Sequence, residues 1–288
     1  LLESGKSMGV AMTDFEGDGL IDWVITNDTQ PNFLLHNLGN LRFEERGLMA
    51  GIGYDDTGRA RAGMGVDITS VVNDGVQSIA IGNFSREALS LYKQIGDVFV
   101  DAAGKSKLVQ STLRPLTFGL RFFDADLDGF QDLVLANGHI EPEINAVQKE
   151  IFYLQAPQLF WNDHDGRMID ISKKVGPIFQ QEMVARGLAV GDIDGDGDLD
   201  LIFTTNGGPV YVVINESPVG NAIAVDLHMD GGNRQAIGAT VEIVANGLTQ
   251  KQMVRTGSSY LSHSTTTLTF GIGSSRSIDR LTVLWPEG

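Results

Sequence analysis

A chain of 288 residues with 42% hydrophobic and 20% charged side chains has the make-up of a folded protein, long enough for one large domain or two ordinary ones. Its formal charge of −16 disfavours nucleic acid and anionic membrane surfaces, which attract basic patches, and favours cations. The absence of Cys excludes disulfides, thiolate metal sites and cysteine nucleophiles, and no apolar run approaches the roughly 18 residues of a membrane-spanning helix.

The chain opens Leu-Leu-Glu, without Met or a signal-like segment, which reads as a processed or cut end. Apolar MGVAM then leads into TDFEGDGLIDWVITN from Thr13, an acidic turn running into a strand, with further strands at NFLLHN and LRFEE. A degenerate copy, GMGVDITSVVNDGVQSIAIGN, starts at Gly63. It has Ser70, Val72, Asp74 and Ser78 where the first has Asp14, Glu16, Asp18 and Asp22, and strands at ALSLYKQ and DVFVDAA follow. FDADLDGFQDLVLAN from Phe123 is the third copy. Its insertion, GHIEPEINAVQKEIFYLQAP, is polar and rich in helix formers, and predicts a surface excursion with a short helix. GDIDGDGDLDLIFTTN from Gly191 is the fourth.

The acidic turns begin at positions 14, 70, 124 and 192, spacings of 56, 54 and 68 residues that signal a repeat architecture. About four strands per unit is the count of a β-propeller blade. After Asn215-Glu216-Ser217-Pro218 the pattern stops, and NAIAVDLHMD, GATVEIVAN, LTQKQMVRT, TTLTFGIG and LTVLWPEG read as alternating strands. The expected fold is all-β: an incomplete propeller of about four repeat units over residues 1–217, then a small sandwich-like β-rich module over residues 218–288.

Each complete turn matches the needs of Ca²⁺, which takes about six to eight oxygens from a turning loop. Positions 1, 3 and 5 offer carboxylates, the Gly at 6 permits the sharp turn, position 7 offers its backbone carbonyl, and the Asp at 9 closes the site. The candidate ligands are Asp14, Glu16, Asp18, Leu20 and Asp22 in the first loop. In the third they are Asp124, Asp126, Asp128, Phe130 and Asp132, and in the fourth Asp192, Asp194, Asp196, Asp198 and Asp200. Asp198, like Leu20 and Phe130, is assigned only its carbonyl. An EF-hand would need Glu at position 12, where Ile25, Leu135 and Phe203 stand. Asp-Gly pairs also make good turns, which suffices for Asn73-Asp74-Gly75 in the second loop. Four carboxylates in one turn would repel one another without a cation, so about three Ca²⁺ sites are expected. Zinc is unsupported without His or Cys, and magnesium demands a tighter octahedron. A catalytic carboxylate pair would occur once, not in repeated equivalents.

These repeats resemble FG-GAP or VCBS repeats, with Phe118-Gly119 keeping the FG pair and the Gly-Ala-Pro part absent. The C-terminal segment resembles the ASPIC/UnbV domain of the cartilage acidic protein-like family, through NRQAIGA (233–239), RTGSSYLS (255–262), FGIG (270–273) and WPEG (285–288). The resemblance implies a propeller with calcium in its blade hairpins, followed by a β-rich module. It also implies a secreted or cell-surface interaction protein of the adhesion or matrix-binding kind, and carries over no catalytic residues. FG-GAP propellers often have about seven blades, against four units here, and the family's last segment continues past WPEG; both point to a cut chain. The expected partner is a protein or glycan, with no nucleic acid and no membrane span.

The remaining candidates are weaker. His139 is assigned a structural or surface role. Ser258, Ser259 and His263 share a loop but lack an acidic partner for a triad. Asn27, Asn83 and Asn215 fit glycosylation sequons at a frequency expected by chance. Trp23, Trp161 and Trp285 are assigned to the core. The alternative function is a carbohydrate-active enzyme, a polysaccharide lyase or hydrolase on a calcium-bearing propeller. It would need a cleft with basic and acidic groups away from the loops, and Arg59 and Arg61 stand close together in the chain.

Overall fold

The computed structural model describes residues 5–217 and 220–286, and it is nearly all β. Four antiparallel sheets follow one another along the chain. The first holds β1 (Ser7–Thr13), β2 (Asp22–Asn27), β3 (Phe33–Asn37) and β4 (Phe43–Glu45). The second holds β5 (Gly63–Thr69), β6 (Ser78–Asn83), β7 (Ser90–Ile95) and β8 (Val98–Asp101). The third holds β9 (Thr117–Phe123), β10 (Asp132–Asn137), β11 (Gln158–Asn162) and β12 (Met168–Asp170). In the fourth, β13 (Ala185–Gly191), β14 (Asp200–Thr205) and β15 (Tyr211–Val213) make three strands, one fewer than the four expected.

β1 lies against β5, β5 against β9 and β9 against β13. Among the described residues β13 has no comparable contact with β1, so the sheets are blades of an open arc. Middle blades are covered on both faces, and β5, β6, β9 and β10 are accordingly buried almost throughout, with apolar residues at their centres. β3 in the end blade alternates buried and half-buried residues instead. Apolar cores fill the three spaces between blades, around Val24, Ile79 and Phe99, around Leu120, Leu133 and Phe160, and around Val134, Leu188 and Phe203.

One glycine recurs in each inner strand, five residues before the acidic turn: Gly9, Gly65, Gly119 and Gly187. A Cβ there would fall 2.6 Å from Met64 O on Gly9 and 2.8 Å from Arg186 O on Gly119, and closer still to Phe118 O on Gly65. The first three thus let their strands meet the backbone of the next blade, and Gly187 instead makes room for the Thr204 and Ser262 hydroxyls. A second repeated contact ties neighbours near the turns. Gln94 Nε2 donates to Phe15 O (3.0 Å), Asn162 Nδ2 to Val71 O (2.7 Å) and Asn215 Nδ2 to Ala125 O (2.9 Å), each reaching position 2 of the preceding blade's turn.

Beyond the blades, β16 (Asn221–Val225) pairs with β19 (Leu268–Gly273), and β17 (Thr240–Ala245) pairs with both β18 (Leu248–Met253) and β20 (Arg280–Leu284). The two small sheets enclose a core containing Val241, Ile243, Val254 and Phe270. Residues 255–265 leave this module and run along the axis of the arc. Ser259 and Val66 exchange backbone hydrogen bonds (2.7 and 3.2 Å). Ser259 Oγ accepts from Leu120 N (3.2 Å), Ser262 Oγ from Leu188 N (3.0 Å) and Ser264 Oγ from Val190 N (3.1 Å). The inner strands would otherwise hold these amides unpaired, at a cost of about 1–3 kcal/mol for each one buried.

The insertion in the third blade carries the expected short helix, α2 (Ile144–Val147), and a second one-turn helix, α1 (Val109–Thr112), precedes β9. The core assignment of the tryptophans is corrected. Trp23 and Trp161 are half-buried and Trp285 is 49% exposed, because Trp23 faces the uncovered side of the end blade and Trp161 reaches an acidic turn. Asn27 and Asn83 are buried and bonded within the fold, which leaves no room for a glycan. Glu287 and Gly288 of WPEG, and Pro218, lie outside the described residues.

Gly65→Ala should lower stability by about 2 kcal/mol or more, because the new methyl must displace backbone on the next strand. Gly104→Ala, at a position with open space around its Cβ, should be nearly neutral. Urea midpoints for the two variants check this pair.

Candidate metal sites in the blade hairpins

The hairpins share one hydrogen-bond plan. The position-1 carboxylate accepts amides from the turn: Asp14 from Gly17 (2.8 Å) and Gly19 (3.0 Å), Asp124 from Asp128 (3.1 Å) and Gly129 (2.8 Å), Asp192 from Gly195 (2.7 Å) and Gly197 (3.1 Å). The position-6 glycines that make this turn possible have φ of +86°, +95° and +99°. The position-5 carboxylate accepts the amide two residues on, from Leu20, Val76, Phe130 and Asp198 in turn. The position-9 Asp accepts two amides at once. Asp22 takes those of Phe15 and Asn37, Asp132 those of Ala125 and Asn162, and Asp200 those of Ile193 and Asn215. Position 9 therefore fastens the turn to the third strand of its blade.

Carboxylate oxygens converge in two of the four turns. Asp124, Asp126 and Asp128 each offer an oxygen within 4.8 Å of the others, and so do Asp192, Asp194 and Asp200. Either trio could hold a cation, and Asp126 Oδ1 is buried with no hydrogen-bond partner. Asp196 stands in the same turn as the second trio but outside it, and Asp132 outside the first. Among the described residues the first turn makes no such trio. Glu16 there turns to Arg46 (2.7 Å) and His36 (3.5 Å). Leu20, Phe130 and Asp198 occupy position 7, and the Asp198 carboxyl, expected to be a bystander, is buried with Oδ1 unpartnered.

A further set of side chains near the turns was not foreseen from the sequence. The residue just before the third-strand amide side chain at this place (Asn37, Gln94, Asn162 and Asn215) is His36, Lys93, Trp161 and Ile214 in order. His36 approaches Glu16, Lys93 Nζ binds Asp74 (3.0 Å), and Trp161 Nε1 donates to Asp126 (3.1 Å). Ile214 offers no donor. His164 adds a contact to Asp128 at 2.6 Å while its ring stacks on Phe130, 4.2 Å between centroids. The fixed offset from the third-strand amide is the signal that identifies these donors.

The third turn is also the most enclosed. Asn73 Nδ2 from the second turn donates to Gly129 O (2.8 Å), Gly220 N to Asp126 O (3.0 Å) and Gly273 N to Leu127 O (2.9 Å). Burial, reinforced by neighbouring carboxylates, pushes Asp124 and Asp132 up to about 8, and Asp198 to about 7.

Of the other candidates, His139 is buried against Phe84, accepts Glu141 N at Nδ1, and has its pKa lowered by burial. Ser258 and Ser259 bind Arg121 and the inner strands, and His263 is exposed. On the second blade a cleft of about 800 Å³ brings Arg59, Arg61, Arg86 and Lys105 together with Asp55, Asp56, Glu87 and Asp101. No described helix is long and apolar enough to cross a membrane.

In protein stripped of divalent ions, protonated Asp124 and Asp132 favour the fold. Their folded pKa lies above the unfolded value of 3.8, so this contribution is complete below pH 3.8 and is lost as pH rises through about 8. Stripped protein should therefore melt lower at pH 8 than at pH 5.5. A cation that fills the turns should flatten that dependence, as thermal melts across the range would read.

Residues 229–288 match the family model for ASPIC and UnbV, and residues 147–203 that for the FG-GAP-like repeat. Among curated proteins, cartilage acidic protein 1 of Homo sapiens is 26% identical over 292 aligned positions, covering 99% of this chain and 41% of that protein. Its counterpart in Mus musculus is 28% identical over 204 positions, covering 69% of this chain and 28% of that protein. The chain thus spans less than half the length of these relatives. Among solved structures, one on recognition of non-reducing terminal N-acetylglucosamine by an Agrocybe aegerita lectin aligns with a TM-score of 0.41 and 17% identity, over 87% of this chain and 67% of the other. A structure of BBS1N in complex with ARL6DN gives 0.37 and 12%, over 88% and 80%. Neither score reaches 0.5, and the fold stands on its own strands. The chain thus carries one FG-GAP-like match and one ASPIC/UnbV match, with weak homology to cartilage acidic protein 1.

Proposed function

We propose that this chain is the calcium-binding portion of a secreted or cell-surface interaction protein. Residues 1–217 form its repeat domain and residues 218–288 its ASPIC/UnbV domain, with a protein or glycan as partner. Calcium is structural here: it neutralises the carboxylates of a turn and locks the hairpin. The observation that carries this reading is Asp126 Oδ1, a buried carboxylate oxygen with no donor, beside Asp124 and Asp128. An all-oxygen carboxylate set without His or Cys suits a hard cation. Asp124, Asp126, Asp128 and Asp132 with the Phe130 carbonyl would hold one ion. Asp192, Asp194, Asp196 and Asp200 with the Asp198 carbonyl would hold a second. Asp14, Glu16, Asp18 and Asp22 with the Leu20 carbonyl form the weakest set, because Glu16 must first leave Arg46 and His36.

The cleft on the second blade gives the enzyme reading its one support, since it combines basic and acidic groups away from the turns. Its carboxylates are already committed, however. Asp55 serves Thr57, Arg59 and Arg61, Asp101 serves Arg61 and Ala103, and Glu87 accepts Ala62 N. Only Asp56 stands outside these bonds, so binding is favoured over acid–base catalysis.

Calcium titrated into stripped protein should raise the melting temperature, with about 2.7 kcal/mol of stabilisation per site at a hundredfold excess over Kd. Calorimetric stoichiometry should fall by one in Asp126→Asn and by one in Asp194→Asn, and Arg46→Ala should tighten the remaining first-turn site. Elemental analysis that finds no bound metal, together with no thermal shift, would sink the reading. Cleavage of acidic glycans in a screen would favour the enzyme instead.

A further inference from the structure

On the axis of the arc, between the upper ends of the inner strands and β17–β19 of the C-terminal module, lies a cavity of about 140 Å³. Three basic side chains line it, Arg121, Lys251 and Arg255. Asp67 and Arg121 hold the same place in successive inner strands, three residues before their turns at 70 and 124, where the end blades have Ala11 and Ala189. Asp67 Oδ1 receives Arg121 Nη1 at 3.1 Å and Arg255 Nη2 at 2.6 Å. Two guanidinium groups therefore share one fully buried carboxylate, and one positive charge is left over.

The geometry leaves donors spare as well as charge. Arg121 Nε is buried with no partner. Among the described residues, Arg121 Nη2 and the Nε and Nη1 of Arg255 have no protein acceptor either. Burial pulls Arg255 down to about 10, against the attraction of Asp67. Asp14 and Asp124 also line the cavity, their oxygens accepting amides of their own turns, and their charge is the part that calcium would neutralise. A buried charge with unmade hydrogen bonds is costly unless a counter-ion meets it.

We propose that this cavity binds one small anion of halide or carboxylate size, held by the spare N–H groups of Arg121 and Arg255. A space of about 140 Å³ admits such an anion with a few waters, and gluconate is the bulkier comparison. Because Arg121 belongs to the third blade and Arg255 to the C-terminal module, the anion would help fasten one to the other. Calcium in the turns would offset the charge of Asp14 and Asp124, so the melts are compared at saturating calcium.

Crystals soaked in sodium bromide should show an anomalous peak in the cavity, within hydrogen-bond reach of both guanidinium groups. At fixed ionic strength and saturating calcium, the protein should melt about 2–4 °C higher in bromide or acetate than in gluconate. The preferred salt identifies whether a halide or a carboxylate fits better. Arg121→Gln should lose both the peak and the difference; if that variant fails to fold, the wild-type anomalous map decides. A cavity filled by water alone overturns the proposal, whether or not the melts differ, and so do melts that follow ionic strength and ignore the anion.

Discussion

Asp67 has no solvent exposure, yet it joins three parts of the molecule. Its two oxygens accept from Arg121 of the third blade, from Arg255 of the C-terminal module, and from the amides of Ile68 and Phe122. Breaking such a pair by removing one member typically costs about 3–5 kcal/mol, because the other charge stays buried. The arrangement makes the second blade, the third blade and the C-terminal module interdependent. The module does not merely follow the blades in sequence; its residues 255–265 supply the hydrogen bonds that the inner strands need where they face the axis. This segment covers the axis along the four described blades.

The hairpins present a graded version of one electrostatic problem. Each turn folds its carboxylates back on its own amides, which fixes the backbone but leaves negative charge concentrated. The first turn relieves it with Arg46 and His36, the third with Trp161 and His164, and the second by keeping a single acid. The fourth has five Asp and, among the described residues, no basic partner for any of them. Demand for an external cation therefore rises where the protein's own donors run out, and the position before the third-strand amide sets that demand in each blade.

How much was legible follows from the range of each interaction. The blades could be read because the acidic turn, the apolar strand after it and the spacing of the turns are local and repeated; WVITN became β2 and SIAIGN became β6. The shortfall to three strands in the fourth blade could not be read, since apolar residues after β14 continue without telling strand from loop. Asp67 stands within GVDIT, which looks like any strand position, and its partners lie 54 and 188 residues away. His36 and Trp161 were missed for the same reason: their offset from the third-strand amide identifies them only once that amide is placed against its turn. RTGSSYLS could be matched as a motif, but its Ser and Gly carry no periodicity from which its place on the axis could be deduced.

The second hairpin is the most informative of the four because it is degenerate. With Ser70, Val72 and Ser78 in place of acids, it keeps the same turn, with Gly75 at φ +76° and Asp74 accepting Val76 N at 3.0 Å. Ser70 Oγ donates to that Asp, and Lys93 binds its other oxygen. The turn therefore does not require several carboxylates in order to form, and backbone hydrogen bonds to one Asp suffice. The extra acids of the other hairpins serve something other than the turn, and each lowers the stability of a metal-free blade through repulsion. An ammonium on the third strand stands where Trp161 and His36 stand in the sister blades, so in the first three blades one position provides either a built-in cation or a donor beside the acids. The acids and the third-strand residue are thus two halves of one charge balance, and losing acids while gaining Lys93 closes that balance within the protein itself.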